Sequence, residues 1–192
     1  IVPKIHLPSY NEFYETRWFS SGSDFLYKAD TAMAPVYDDA KNCSTPMAGA
    51  EIEYAGFKVN VYPNMLFQVG KSTFAVEICE DLWTPEPPSI SHAKNGATLI
   101  VNASASNETI GKDSYRKQLV SGQSARLVCG YVYASAGGGE STQDIVFSGH
   151  NLICENGTVL AEAHKFLDES VYADIDLDRI YSERRRMSTY DV

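Results

Sequence analysis

Cys79 is the residue whose position in the sequence best suits nucleophilic chemistry. It follows the apolar run Phe74-Ala-Val-Glu-Ile78 and precedes the acidic stretch Glu80-Asp-Leu-Trp83. A side chain at the junction of a buried strand and a turn is exposed above the sheet, as in a nucleophile elbow. On spacing alone, a buried core cysteine is the commoner outcome, because free cysteine is among the most buried residue types. The neighbouring carboxylates disfavour a thiolate, so a nucleophile here requires a cation from elsewhere in the chain.

Lys4 is a candidate for that cation. We expect it at the end of a first strand, just before a loop that Pro8 starts. A lone lysine is more often a solvated surface residue, and position alone does not decide between the two interpretations. A cysteine–histidine pair is the other alternative, but the histidines are scattered, and each is more simply a surface or locally hydrogen-bonded residue. These histidines are His6, His92, His150 and His164.

Composition and charge exclude several classes of function. The 192 residues are 44% hydrophobic, enough for one sizeable core, and the net charge of -9 argues against a nucleic-acid partner. No apolar run reaches the roughly 18 residues of a membrane span. Four cysteines without a Cys-x-x-Cys pair predict neither a metal site nor a disulfide framework, and favour a reduced, cytoplasmic protein. The start at Ile1 is neither an initiator Met nor a signal peptide, so we expect a mid-protein beginning.

The elements that must position Cys79 follow from hydrophobic periodicity. Short alternating runs predict hairpins over 52–61 and 66–78, and the stretch 28–49 predicts a surface excursion. A short helix is predicted over 89–96 with Ser89 as its cap, followed by a buried strand over 97–103. This strand–helix–strand order predicts an α/β fold.

The second half of the chain continues this pattern. A helix is predicted over 112–129, with an apolar face made of Tyr115, Leu119, Gly122 and Leu127. Further strands are predicted over 131–135 and 145–147, in a hairpin turning at Asn156-Gly157, and over 171–177. The basic triplet Arg184-Arg185-Arg186 is interpreted as a solvated or interface face.

Four blocks of sequence, in order, resemble the amidohydrolase domain of glutamine-dependent NAD synthetases, in the nitrilase or carbon–nitrogen hydrolase superfamily. The resemblance runs over nearly the whole chain, with 28–49 as an insertion. It implies an α/β fold of the αββα sandwich type and resolves Cys79 and Lys4 in favour of function. The blocks are Lys4-Ile-His-Leu-Pro-Ser-Tyr10, Ile78-Cys-Glu-Asp-Leu-Trp-Thr-Pro85, Asn102-Ala-Ser-Ala-Ser-Asn-Glu-Thr-Ile-Gly-Lys112 and Tyr131-Val-Tyr-Ala-Ser-Ala-Gly-Gly-Gly-Glu-Ser-Thr-Gln-Asp144.

The family uses a Glu-Lys-Cys triad in which Glu is the general base, Lys binds the oxyanion and Cys forms a thioester while ammonia leaves. By this resemblance Cys79 is the nucleophile and Lys4 the oxyanion lysine. A nearby ammonium stabilises both the thiolate and the tetrahedral intermediate. The N–H of Glu80 is the expected second oxyanion donor, and Glu12 the expected supporting carboxylate beside the lysine.

The resemblance also assigns a glutamine pocket to Tyr10, Phe13, Glu80, Ser106 and Lys112. The Glu80 carboxylate suits the ammonium group of L-glutamine, and Lys112 suits its carboxylate. No metal or cofactor is expected in this domain.

Two parts of the family pattern are expected outside this sequence. The base glutamate lies upstream of the lysine, and no glutamate precedes Lys4 here. Residues 1–192 are therefore expected to form about two-thirds of the domain, incomplete at its N-terminus and possessing an incomplete triad. The synthetase domain, marked by a Ser-Gly-Gly-x-Asp-Ser loop, is also expected to be absent, and with it the ATP and magnesium sites.

The leading interpretation is a glutaminase part that supplies ammonia to a synthetase domain of the same polypeptide, which amidates deamido-NAD. A stand-alone nitrilase-type amidase or carbamoylase acting on another small amide remains an alternative, because the cysteine–lysine pair suits both. A third is a purely structural module, since domains of this superfamily pack into homo-oligomers.

Overall fold

Short apolar runs form the strands of a six-stranded sheet in the second of two units of the chain. The computed structural model describes residues 1–23, 50–140 and 144–190. The first unit spans residues 1–65 and the second residues 66–192. The predicted excursion over 28–49 lies outside the described residues.

The first unit contains a β-hairpin whose position matches the prediction. Strands β1 (Ala50–Tyr54) and β2 (Phe57–Val61) pair antiparallel around a two-residue turn. Ala55 and Gly56 both have positive φ, 50° and 79°, which matches the right-handed twist of a hairpin. The strand predicted to end at Lys4 is not formed in residues 1–14, because Pro3 and Pro8 withhold two of the N–H groups that a strand needs. A single turn of 3-10 helix follows at Glu15–Arg17.

The sheet of the second unit has the strand order β3-β4-β5-β6-β7-β8. Strands β4, β5 and β6 are parallel, and the outer pairs are antiparallel. The strands are β3 (Leu66–Val69), β4 (Ser72–Ile78), β5 (Leu99–Ser104), β6 (Gly130–Ser135), β7 (Leu152–Glu155) and β8 (Thr158–Glu162). Parallel strands require crossovers, and these are supplied by helices α1 (Pro88–Lys94) and α2 (Lys112–Leu127). The predicted α/β fold is confirmed.

The core lies between the sheet and its helices. Ala75, Ile100 and Tyr131 are register partners on the three parallel strands, and all three are fully buried. Val120 and Leu127 of α2 join the same hydrophobic cluster. Cys79 follows the carboxyl end of β4, where open α/β sheets place their sites.

The predicted apolar face of α2 is wrong except at Leu127 and, partly, Leu119. Tyr115 is 55% exposed, and the buried positions include Arg116, Val120 and Gln123. Arg116 can be buried because its guanidinium is hydrogen-bonded to Glu108 and His150. A periodicity count that ranks arginine as polar therefore misplaces this face.

Two predicted strands and one predicted cap are also wrong. Residues 144–151 form no strand, and neither do residues 171–176, so the partial burial of Ile175 reflects packing against Gly130 rather than strand pairing. Helix α1 begins at Pro88 after Pro87 as N-cap, because proline at the first helical position has no N–H to leave unsatisfied. None of the described helices combines the length and apolarity of a membrane span.

Helix α3 (Leu177–Arg186) carries the basic triplet, and Arg184 is structural rather than solvated. Its guanidinium donates hydrogen bonds to the carbonyls of Ala97 (2.7 Å), Val128 (2.9 Å) and Leu127 (3.1 Å). These carbonyls lie just before β5 and at the end of α2. Arg184 therefore ties the last helix to the core.

Replacing Arg184 by alanine should destabilise the second unit. The change strands three carbonyls that now accept from a charged donor, so we expect a loss of about 2 kcal/mol in the free energy of unfolding. Arg186→Ala is the matched control, since Arg186 is 73% exposed and should cost less than about 0.5 kcal/mol. Urea unfolding followed by Trp83 fluorescence measures both, and equal losses would contradict the structural role of Arg184.

Candidate active site

Cys79 occupies a strained position at the end of β4. The strand ends at Ile78, and Cys79 opens a 3-10 turn that runs to Trp83. Its φ is 50°, in the left-handed region, which costs about 1–3 kcal/mol for a residue other than glycine. The side chain is half-buried, whereas Cys129 and Cys154 are buried. Cys43 lies outside the described residues.

Side chains on both flanks hold this turn. The Asp81 carboxylate accepts a hydrogen bond from the N–H of Ile78 at 2.9 Å. The side-chain oxygen of Asn102, on β5, accepts one from the N–H of Cys79 at 3.1 Å. The second bond occupies the N–H of Cys79. The oxyanion donor predicted from the sequence is the N–H of the next residue, Glu80.

Tyr133 is a polar neighbour of Cys79 inside the sheet. Its hydroxyl donates to Ser104 Oγ at 2.6 Å. Burial raises the pKa of Tyr133, the hydrogen bond with Ser104 lowers it, and the proximity of Cys79 adds to the increase. Tyr133 is therefore a neutral phenol at physiological pH.

The predicted pocket residues of the second unit lie beyond β4 and β5. Glu80 is half-buried in the turn, and Ser106 is 3% exposed in the segment after β5. Lys112 begins α2, donates to Asn107 Oδ1, and places its Nζ 5.1 Å from the centre of the Trp83 ring. Trp83 belongs to the same turn as Cys79, so the structure brings Lys112 close to the turn that Cys79 begins.

A buried arginine shapes the segment that carries Ser106. Arg116 donates to Glu108 (3.0 Å), to the carbonyl of Asn107 (3.2 Å) and to His150 Nδ1 (3.0 Å). A guanidinium can only donate, so Nδ1 of His150 accepts, and its Nε2–H donates to Glu162 at 2.9 Å. His150 is thus locally hydrogen-bonded on both nitrogens, as the sequence interpretation proposed.

The predicted site residues of the first unit make contacts within that unit. Lys4 is 14% exposed, and its ammonium is held by both oxygens of Glu15, at 2.5 and 2.7 Å. Tyr10 and Phe13 contact edge to face, with ring centres 6.1 Å apart. Glu12, which the sequence suggested as the carboxylate beside Lys4, is half-buried, and its role stays a prediction.

Sequence reasoning missed Glu15 and Asn102. Glu15 lies 11 residues after Lys4, beyond a proline loop whose path has no periodic signal. Asn102 does have one: it is a polar residue inside the apolar run 97–103, and a polar group in a strand buried on both faces needs a specific partner. Among the described residues, no group of three or more His, Cys, Asp and Glu side chains is arranged to hold a metal ion.

Comparison with known proteins identifies the family. The carbon-nitrogen hydrolase family model matches residues 3–185. The chain is 38% identical over 197 residues to the glutamine-dependent NAD(+) synthetase of Mycobacterium tuberculosis, covering 100% of this chain and 26% of that protein. The enzyme of the same name from Mycobacterium leprae is 35% identical and is covered to 25%. The chain thus spans about a quarter of the length of these curated relatives.

Comparison with solved structures agrees with this family assignment. The glutamine-dependent NAD(+) synthetase of Cytophaga hutchinsonii superposes with a TM-score of 0.61 at 29% identity, over 84% of this chain and 22% of that one. A carbon-nitrogen hydrolase from Helicobacter pylori superposes with a TM-score of 0.62 at 19% identity, over 96% of this chain and 54% of that one, which bears on the fold alone. The resemblance found in the four blocks is confirmed, as is the nitrilase-type α/β fold.

Iodoacetamide should alkylate Cys79 well before the two buried cysteines. Burial raises the pKa of Cys129 to about 12 and that of Cys154 to about 11. Only the thiolate reacts, so at about pH 8 both buried thiols stay protonated as well as inaccessible. Peptide mapping by mass spectrometry after timed exposure measures each site, and labelling of Cys129 or Cys154 at the rate of Cys79 would contradict the assignment.

Proposed function

Since this chain belongs to the carbon-nitrogen hydrolase family, we propose that it carries the nucleophile of a longer enzyme that hydrolyses the side-chain amide of glutamine through a thioester on Cys79. The observation that carries the proposal is the backbone of Cys79, a half-buried thiol at a strand end with φ of 50°. Strained residues held by their surroundings cluster at active sites. The identity of 38% to a glutamine-dependent NAD(+) synthetase supports glutamine as the amide.

The proposed chemistry has two steps. The Cys79 thiolate attacks the amide carbon, forming a C–S bond and an oxyanion, and collapse of this intermediate breaks the C–N bond as ammonia leaves with an added proton. Water then attacks the thioester, the C–S bond breaks, and glutamate departs as the thiolate is restored. The general base in both steps is the glutamate that the family places upstream of the lysine.

Charge stabilisation in this scheme comes from Lys4 and the N–H of Glu80. A fixed ammonium stabilises an oxyanion only if its side chain does not have to reorganise. The bidentate contact with Glu15 supplies that restraint, because both carboxylate oxygens hold the Lys4 amine. We propose Glu15 as the residue that orients Lys4.

Substrate selection is assigned to charges on both sides of the amide. The Glu80 carboxylate would take the α-ammonium of glutamine, and Lys112 its α-carboxylate. The Lys112 ammonium lies over the indole ring of Trp83, which restricts the positions that this ammonium can take. Tyr10, Phe13 and Ser106 complete the proposed pocket.

The ammonia is proposed to serve an amidation of deamido-NAD by a synthetase domain of a longer polypeptide. The relatives named NAD(+) synthetases are about four times as long as the region matched here. ATP and magnesium would bind in that domain, and no step of the hydrolysis above requires them.

Cys79→Ala should abolish glutamine hydrolysis and spare synthesis from free ammonia. Without the thiol no acyl-enzyme forms, so we expect glutaminase kcat to fall by at least about a thousandfold. Glutamate release and NAD formation, with glutamine or with ammonium chloride as nitrogen source, measure the two activities in the longer polypeptide. If Cys79→Ala loses both activities at once, a scaffolding role is favoured. If the unmodified protein hydrolyses another small amide faster than glutamine, a stand-alone amidase is favoured.

Glu15→Gln should lower glutaminase activity more than Glu12→Gln. Glutamine at position 15 keeps the size of the side chain but removes the charge that holds Lys4, so we expect kcat to fall about 10- to 100-fold. Steady-state glutamate release by the two variants measures the difference. A larger loss in Glu12→Gln would restore Glu12 as the carboxylate that orients the lysine.

A further inference from the structure

A chain of buried hydrogen bonds runs from the backbone of Cys79 into the core of the second unit. It contains Asn102, Tyr131 and Glu77, which are 0%, 0% and 1% exposed. The register of β4, β5 and β6 places these three side chains on the same face of the sheet, under the helices. Polar groups that are buried this deeply are nearly always hydrogen-bonded, and each of these three side chains is.

The first link replaces a missing rung of the β-ladder. Pairing between β4 and β5 ends at Ile78 and Ala103, so the turn takes the N–H of Cys79 out of the ladder. The Asn102 side-chain oxygen accepts this N–H at 3.1 Å. The residue with the strained backbone is therefore held by a side chain of the neighbouring strand.

The second link fixes which way the Asn102 amide points. Its Nδ2 donates to the hydroxyl of Tyr131 at 3.3 Å, so its oxygen must face Cys79. The Tyr131 hydroxyl in turn donates to Glu77 Oε1. If the amide were rotated by half a turn, an NH₂ group would face the N–H of Cys79, and two donors would oppose each other.

The last link anchors the chain at helix α1. Glu77 Oε2 accepts the N–H of Ser89 at 3.0 Å, and Ser89 Oγ accepts from Gln123 Nε2 of α2 at 3.0 Å. Every bond in the series has one donor and one acceptor, and the series links the nucleophile to both crossover helices. Helices α1 and α2 are therefore connected to the backbone of Cys79 by a continuous series of hydrogen bonds.

We propose that Asn102 is a positioning residue for Cys79, and that Tyr131 and Glu77 set the orientation of its amide. This inference rests on the proposed function, since it assigns Asn102 to the step in which Cys79 attacks the amide carbon. The Asn102 side chain contacts the backbone of Cys79 rather than its thiol. It acts by keeping the thiol at the angle that the attack requires, where misplacement by about 1 Å can cost a hundredfold in rate.

The test compares four forms of the longer polypeptide, which also contains the base glutamate: the unmodified protein, Asn102→Leu, Asn102→Asp and Asn151→Leu. Leucine at 102 has nearly the shape of asparagine but cannot accept the Cys79 N–H, whereas aspartate can. Asn151 is the matched control, because its Oδ1 accepts the N–H of Ser135 at 2.8 Å at the end of β6, an equivalent bond at another strand. Asn151→Leu should therefore cost stability without disturbing Cys79.

Two readouts separate positioning from general destabilisation. Hydrogen exchange of the Cys79 amide, followed by NMR, should be about tenfold faster in Asn102→Leu than in the unmodified chain and should be slowed again in Asn102→Asp. Glutaminase kcat should fall about 10- to 100-fold in Asn102→Leu with KM changed less than about threefold, and Asn102→Asp should recover part of that loss. Asn151→Leu should leave both quantities at the values of the unmodified chain.

The outcomes distinguish this inference from the proposed function. If the unmodified protein releases no glutamate from glutamine, the proposed function falls, while exchange at Cys79 still decides whether Asn102 holds the turn. If the unmodified protein is active and Asn102→Leu matches Asn151→Leu in both exchange and kcat, the positioning role of Asn102 is overturned.

Discussion

The candidate site of the second unit depends on holding Cys79 in a left-handed backbone conformation at the end of a parallel strand. Left to itself, the peptide would relax, because a Cβ at positive φ crowds the following carbonyl. The Asp81 carboxylate on one side and the Asn102 amide on the other provide the hydrogen bonds that prevent this relaxation. The strain and its restraint together put a thiol at the sheet edge with a defined direction, which a nucleophile needs and a core cysteine does not.

The orientation of the Lys4 side chain is fixed in a different way from that of Cys79. Lys4 lies in irregular chain between two prolines, where no ladder fixes its side chain. Its orientation comes from charge, through the two oxygens of Glu15 on the following 3-10 turn. An ion pair at 14% and 27% exposure is less screened than a surface pair, so it can restrain a flexible side chain. A proline loop and one turn of 3-10 helix therefore position Lys4, whereas a strand positions Cys79.

Sequence reasoning predicted the three hairpins and the two crossover helices because their signals are local, whereas Cys79 as nucleophile is a prediction that came from the family resemblance. Apolar runs, Gly turns and the strand-to-turn junction at Cys79 all lie within a few residues of one another. It failed where burial depends on a distant partner. The core-facing side of α2 was misplaced because Arg116 is buried by pairing with Glu108 and His150, which are 8 and 34 residues away. Asn102 and Glu15 were missed for the same reason. The proposed role of each comes from a hydrogen bond to a residue distant in sequence, Cys79 for Asn102 and Lys4 for Glu15.

The central claim, that Cys79 forms the bond to substrate, is tested most directly by trapping it with a diazoketone analogue of glutamine. Its attack on the analogue expels dinitrogen and leaves a stable C–S bond, so intact-mass and peptide measurements locate the nucleophile without following turnover. We expect one adduct per chain, on Cys79, formed more slowly when glutamine is present. An adduct on another residue, or labelling of Cys79 that glutamine does not slow, would contradict it.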